Sequence, residues 1–333
     1  MNATESETAV ISEAVYPWQK EVWEMLTTRF PSIGHGLLLY GKSGCGKQAF
    51  AQHFLAWVLC ANRHPEGACG QCGSCQWLKS DTHPNYVHIS TDEDNKKSNA
   101  QIKIEKIREL LPFVQQTVDG WRIVLIQPAD ALNTASANAL LKTLEEPGDR
   151  VLILLITEHF LKLPATIRSR LQRFALDRIS FPDAAQYVQQ RLPDVDESYI
   201  QLLLNLANGM PLQALKLNQQ NWLQKRHEFL VDWQDLVIQK RLPIHYASKW
   251  TKQLSYADFE QLIEYLLSDL IAYKLGQPIK NNDLGLSSIA AYYDLKSLFQ
   301  IYDNLQQSKI MLEQNVQAQL ILDQLFVQLM NVE

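Results

Sequence analysis

The stretch from Asn133 to Arg170 constrains the fold more than any other. Ala135 to Leu144 carries apolar residues at helical spacing, and Glu145, Glu146 and Pro147 follow. Pro147-Gly148 forbids continuation of that helix, because proline lacks an N–H and clashes with the preceding turn. Val151 to Ile156 is an unbroken apolar run, the pattern of a strand covered on both faces in a parallel sheet. Pro164 then opens a short helical turn that carries Arg168 and Arg170.

Four more segments have strand character: Gly36 to Tyr40, Tyr86 to Ile89, Trp121 to Ile126 and Arg173 to Leu176. Tyr16 to Phe30 carries one apolar stripe and reads as an amphipathic helix. Ile102 to Gln116 reads as another, which Pro112 should kink or end early. A small helical region runs from Ser180 to about Asn218, and the chain is helical from Trp222 onward. There Phe259 to Leu275 and Leu295 to Met330 carry apolar stripes, the second too long for one plain helix. At roughly 100–200 residues per domain, 333 residues make two or three domains.

The first strand leads into Gly41-Lys42-Ser43-Gly44-Cys45-Gly46-Lys47-Gln48, and a helix from Lys47 to Leu59 follows. The spacing Gly-x4-Gly-Lys between strand and helix is that of a phosphate-binding loop. Successive backbone N–H groups cradle phosphate there and Lys47 reaches the outer phosphates, which makes Gly41, Gly44, Gly46 and Lys47 the candidate nucleotide residues. The bland alternative is a Gly-rich turn with no ligand.

Cys60, Cys69, Cys72 and Cys75 follow in the pattern C-x8-C-x2-C-x2-C. Four thiolates so close in sequence can wrap one tetrahedral Zn²⁺, and Gly67, Gly70 and Gly73 permit the tight turns between them. Four protein ligands leave no open position for a water, so the expected site is structural. A disulfide pair is the alternative, disfavoured in a reducing cytosol. Cys45 stands apart and reads as a small residue of the phosphate loop.

Charge narrows the partners. A net charge of −5 argues against a protein that holds nucleic acid by a broad basic face. Lys96, Lys97, Lys103, Lys106 and Arg108 form a local basic cluster, read either as a solvated helix face or as a contact to DNA phosphates. No run approaches the ~20 apolar residues of a membrane span. Met1 to Glu13 is polar and acidic, a tail and not a secretion signal, so the expected compartment is the cytoplasm.

Asn138-Ala-Leu-Leu-Lys-Thr-Leu-Glu-Glu-Pro147 and Leu163-Pro-Ala-Thr-Ile-Arg-Ser-Arg170 closely resemble the bacterial clamp-loader ATPase family. The resemblance runs from Tyr16-Pro17-Trp18 to about Ala175 and, more faintly, to the end. It implies an α/β AAA+ fold: a P-loop-type parallel sheet flanked by helices, with a zinc-binding insertion, a small helical lid and an all-α C-terminal domain. The implied boundaries are 1–176 with the zinc module at 60–75, 177–219 for the lid, and 220–333 for a collar that joins subunits.

The departures from the family pattern carry the functional expectation. Gln48 stands where the family's ATPases have Ser or Thr to hold magnesium, which weakens the case for bound ATP. Gln127 and Pro128 stand at the Asp-Glu pair that holds the metal shell and orients the attacking water, and Leu212 replaces a lid arginine. Asp130, two residues on, would point elsewhere. Three losses imply a chain that does not hydrolyse ATP. Ser169-Arg170 matches the family's Ser-Arg-Cys motif, with Leu171 in place of the cysteine. The resemblance makes Arg170 a catalytic group supplied in trans to a neighbour's nucleotide, with Ser169 beside it; the bland reading is a surface salt bridge. Arg168 is a helper or merely faces solvent, and Thr157 stands at a phosphate-sensing position or only caps its strand. The implied partners are gamma/tau motor subunits and a delta subunit in a five-subunit ring, with the sliding clamp and primed DNA reached through the complex. The competing expectations are an active ATPase motor of the same family, which the retained Gly41 to Lys47 favours, and a zinc-dependent nucleic-acid module.

Overall fold

The computed structural model describes residues 15–91, 100–116, 118–314 and 316–330. The polar start at Met1 to Glu13 and the lysines Lys96 and Lys97 lie outside the described residues. The chain divides into two compact units, Met1–Asp183 and Ala184–Glu333.

In the first unit, α1 (Lys20–Arg29), entered through a tight 3₁₀ turn at Pro17–Gln19, precedes β1 (Gly36–Tyr40) and α2 (Lys47–Leu59). After α3 (Gly73–Lys79) come β2 (Tyr86–Ile89), α4 (Ile104–Arg108) and α5 (Leu110–Gln115). The unit continues through β3 (Arg122–Ile126), α6 (Thr134–Glu145), β4 (Val151–Thr157), α7 (Ala165–Arg168) and β5 (Gln172–Ala175).

The strands form one parallel sheet in the order β2-β3-β4-β1-β5. Every residue of β3 and β4 is buried, while the edge strands β2 and β5 are partly exposed. That is why Val151 to Ile156 carries no polar residue: both of its faces are buried, the one with Val151, Ile153 and Leu155 in a core that holds Leu38, Leu140, Leu144 and Ile167. Parallel strands also bring the phosphate loop after β1, Gln127 after β3 and Glu158 after β4 to one edge of the sheet, where α/β folds bind their ligands.

Two local features depart from the sequence expectation. The expected helix from Ile102 to Gln116 is two, and the break falls at Glu109, ahead of Pro112. A proline ring clashes with the carbonyl four residues earlier, here that of Arg108, so the ladder must open between them. Within α5 Pro112 sits in the first turn, where its missing N–H has no helical partner. The short α3 shows no periodicity and was not expected.

Gly148 is fixed by space. A Cβ there would lie 2.1 Å from the carbonyl oxygen of Val114, whose neighbour Phe113 accepts a hydrogen bond from buried Arg122. Gly148→Ala is expected to destabilise the unit by about 3 kcal/mol, the upper range for overpacking. A lower denaturant midpoint at unchanged slope checks it.

The second unit is helical among its described residues. It holds α8 (Phe181–Arg191, which starts in the first unit), α9 (Glu197–Leu206), α10 (Pro211–Asn218), α11 (Asn221–Ile238), α12 (Pro243–Gln253) and α13 (Tyr256–Lys274). Then come α14 (Ser287–Ala290), α15 (Leu295–Glu313) and α16 (Ala318–Met330), so the long stripe from Leu295 is divided as expected. Phe229 makes ring contacts with Trp233, Trp250, Phe259 and Phe326, the aromatic centre of this unit. Buried Arg226 is paired with Asp283 through both terminal nitrogens and with Asn281, which satisfies a charge that would otherwise be costly inside. Among the described residues, no helix is long and apolar enough to cross a membrane.

Candidate functional site

The loop between β1 and α2 has positive φ at Gly41, Gly44 and Gly46, and its Lys47 is already engaged. Gly46 takes a positive φ of 86°, and a Cβ on it would lie 2.5 Å from the Tyr16 ring, so the position needs glycine twice over. Tyr16 stacks on Trp18 at 5.0 Å, and the Trp18 indole and the Gln19 amide both donate to the Cys45 carbonyl at 2.9 Å. Lys47, which should reach outward, is 7% exposed. Its Nζ donates to the Lys42 carbonyl at 2.9 Å and pairs with Glu158 at 3.3 Å. The backbone N–H of Lys42 donates to Asp177 Oδ2 at 3.2 Å. One carboxylate therefore pairs with the Lys47 ammonium, and a second occupies a backbone N–H of the loop. Burial pushes the Cys45 thiol up to about 11, against the lowering pull of Lys47, which keeps it a packed thiol.

The two glutamines that stand in for magnesium-holding residues face each other. Gln127 Nε2 donates to Gln48 Oε1 at 3.1 Å. A neutral amide pair bridges α2 and the end of β3 where a hydroxyl and a carboxylate would be needed to hold a divalent cation. Pro128 offers neither charge nor donor. Asp130 does not face the loop's amides: its Oδ1 accepts from Thr157 Oγ1 at 2.6 Å, and Thr157 Oγ1 accepts from the His159 N–H. Thr157 thus uses its hydroxyl to tie the end of its own strand to the turn that follows β3. Leu212 lies half-buried in α10.

The cysteines come together. The four sulfurs of Cys60, Cys69, Cys72 and Cys75 lie within 4.8 Å of one another. Cys60 ends α2, Cys72 caps α3 and Cys75 sits in its first turn, so two helix ends and the loop between them aim at one point. The Cys60–Cys72 and Cys72–Cys75 separations are 3.8 and 3.5 Å. A tetrahedron with bonds of about 2.3 Å has edges of about 3.8 Å. None of the four forms a disulfide. The N–H groups of Cys69 and Cys72 donate to the sulfurs of Cys60 and Cys69, which favours thiolates. Burial raises the Cys72 thiol, yet surrounding N–H and thiol donors outweigh it and hold it at about 6. The loop is pinned from α1 and α2: Trp23, His53 and Trp57 bond the backbone carbonyls of Pro65, Glu66 and His64.

Arg170 follows α7 on the surface, its side chain 37% exposed. Nε and Nη2 reach Glu145 Oε1 at 2.9 and 2.5 Å, and Nη1 donates to the Thr166 carbonyl at 2.9 Å. Ser169 Oγ also donates to the Thr166 carbonyl. Arg168 does not simply face solvent; it lies half-buried with its guanidinium 4.9 Å over the Phe160 ring. Of the basic cluster, Lys103 and Arg108 are exposed, while Lys106 donates to the Ser90 carbonyl.

Sequence reading missed Glu158, Asp177 and Glu145. Each is an ordinary acid at no telling spacing, and only the sheet edge and the α6–α7 contact bring them to Lys47, Lys42 and Arg170.

The family model described as DNA polymerase III, delta subunit, matches residues 18–180. DNA polymerase III subunit delta′ of Pseudomonas aeruginosa is 32% identical over 94% of this chain and 97% of its own. Subunit delta′ of Escherichia coli is 32% identical over 62% of each chain. Subunit tau of E. coli is 30% identical over 56% of this chain and 29% of its own. With a fold, a cysteine cluster and a sequence likeness that extends over nearly its whole length, the chain belongs to the delta′ subunit family of DNA polymerase III.

Proposed function

We propose that this chain is a non-catalytic subunit of a cytoplasmic clamp loader, which helps to place a sliding clamp on primed DNA and supplies Arg170 to the nucleotide of a neighbouring motor subunit. The observation that carries the reading is a contrast in exposure within one unit: Lys47 is buried and paired with Glu158, while Arg170, paired with Glu145, stands at the surface. The amide pair of Gln48 and Gln127 supports it, because neither partner can hold a metal as an anion. A phosphate at Lys47 would have to compete with Glu158 for the ammonium, which weighs against ATP in this loop. Kinship with delta′ and tau subunits supports gamma/tau-type motors and a delta subunit as ring partners. The second unit, with its amphipathic helices, is the proposed lid and collar.

The cysteine cluster is the proposed site of one structural Zn²⁺ held by Cys60, Cys69, Cys72 and Cys75. Four sulfur donors suit zinc, which takes them tetrahedrally and has no redox chemistry of its own.

Steady-state ATP hydrolysis tests the non-catalytic reading. The isolated chain is expected to show no turnover above its own Lys47→Ala variant, whereas the reconstituted complex turns over faster with this chain than without it. Hydrolysis above that control would reinstate the motor reading.

A further inference from the structure

We infer that Glu145 is the positioning residue for Arg170, fixing its side chain so that the two outward donors of the guanidinium meet a phosphoryl oxygen on a neighbouring subunit. This rests on the reading of Arg170 as a group supplied in trans.

A guanidinium has five N–H donors. Glu145 Oε1 accepts from Nε and lies 2.5 Å from Nη2 as an ion pair, and the Thr166 carbonyl accepts from Nη1. Nη1 also donates to Ser169 Oγ, at a long 3.5 Å, and among the described residues Nη2 has no partner but Glu145. Those are the two nitrogens whose fork matches a phosphate. Glu145 therefore grips the side of the group and leaves its end open.

Local energetics give no other reason for an acid at this position. Glu145 is the last residue of α6, where negative charge opposes the helix dipole. It is half exposed, so the pair contributes little to folding. An unpaired arginine of this length would sample many rotamers and would lose that freedom on meeting the neighbour's nucleotide. Holding it beforehand removes the cost from the transition state, and small misplacements of such groups are expensive in rate.

The experiment is ATP turnover by the reconstituted complex carrying Glu145→Ala, Glu145→Gln, Arg170→Ala or the Glu145→Ala/Arg170→Ala pair. Glu145→Ala is expected to lower kcat at the served site ~10-fold with KM for ATP unchanged, because the nucleotide is bound by the neighbour's own loop. Glu145→Gln, which keeps an acceptor without the charge, should fall between. The double variant should be no slower than Arg170→Ala alone, and the isolated Glu145→Ala chain should melt as the parent does. A separate, additive loss in the double variant would overturn the assignment. So would faster turnover with Glu145→Ala, which would make Glu145 a restraint on the arginine. If Arg170→Ala slows turnover and Glu145→Ala does not, only the positioning role fails. If Arg170→Ala has no effect, the trans role fails and the positioning role with it.

Discussion

Arg170→Ala is expected to leave this chain folded and to slow hydrolysis at the one neighbouring site it serves by ~10³-fold, the lower end of what a trans-acting arginine contributes. The two expectations are separable because of where the side chain lies. Its partner Glu145 is half exposed, and an exposed ion pair contributes about 0–1 kcal/mol to stability. The thermal midpoint should therefore move little. Hydrolysis concentrates negative charge on the transferred phosphoryl group, and a fixed cation there acts on the transition state more than on bound ATP. The loss should appear in kcat with KM preserved. Arg170→Lys should rescue little, since an ammonium cannot present two parallel donors. A complex whose other motor sites keep working will show a smaller fall in total turnover, so single-site turnover is the measurement that checks it. Unchanged single-site turnover would remove the trans role.

Stripping the metal is expected to have the other large effect, and one confined in space. A structural four-cysteine site contributes on the order of 10 kcal/mol to the folding of its own module. Metal analysis should give about one zinc per chain. After chelation, amide exchange should rise across Cys69 to Lys79, whose order depends on sulfurs meeting at one point and on N–H groups donating to them. The sheet should keep its protection, because the core cluster around Val124, Ile153 and Leu155 contains none of the four cysteines. Cys72→Ala should reproduce the loss, with Trp23 and Trp57 still anchoring the start of the loop. A metal-free chain with unchanged exchange and full thermal stability would remove the zinc site.

The strands and the cysteine cluster were legible because their signals are local. Val151 to Ile156 admits one environment, and its strand begins at Val151 as read. The spacing of the cysteines sets the chain length between ligands, and the structure brings all four together. The departures at Gln48 and Gln127 were also readable one at a time, against a family pattern. That the two amides hydrogen-bond each other was not, because 79 residues separate them. Pro112 foretold a kink or early end of the helix, and only the structure put the break at Glu109, where the clash with the preceding turn falls.

By itself, then, the sequence determined a parallel sheet with helices around it, a glycine loop, a four-cysteine module and an arginine after the break at Pro147. Periodicity, chain spacing and residue chemistry suffice for these because each acts within a few turns of backbone. Tertiary structure alone decided that Lys47 faces Glu158 and that Arg170 is gripped by Glu145. Charge acts through space, and the chain carries no record of which distant carboxylate will arrive beside which cation until the sheet order and the helix packing have set both in place.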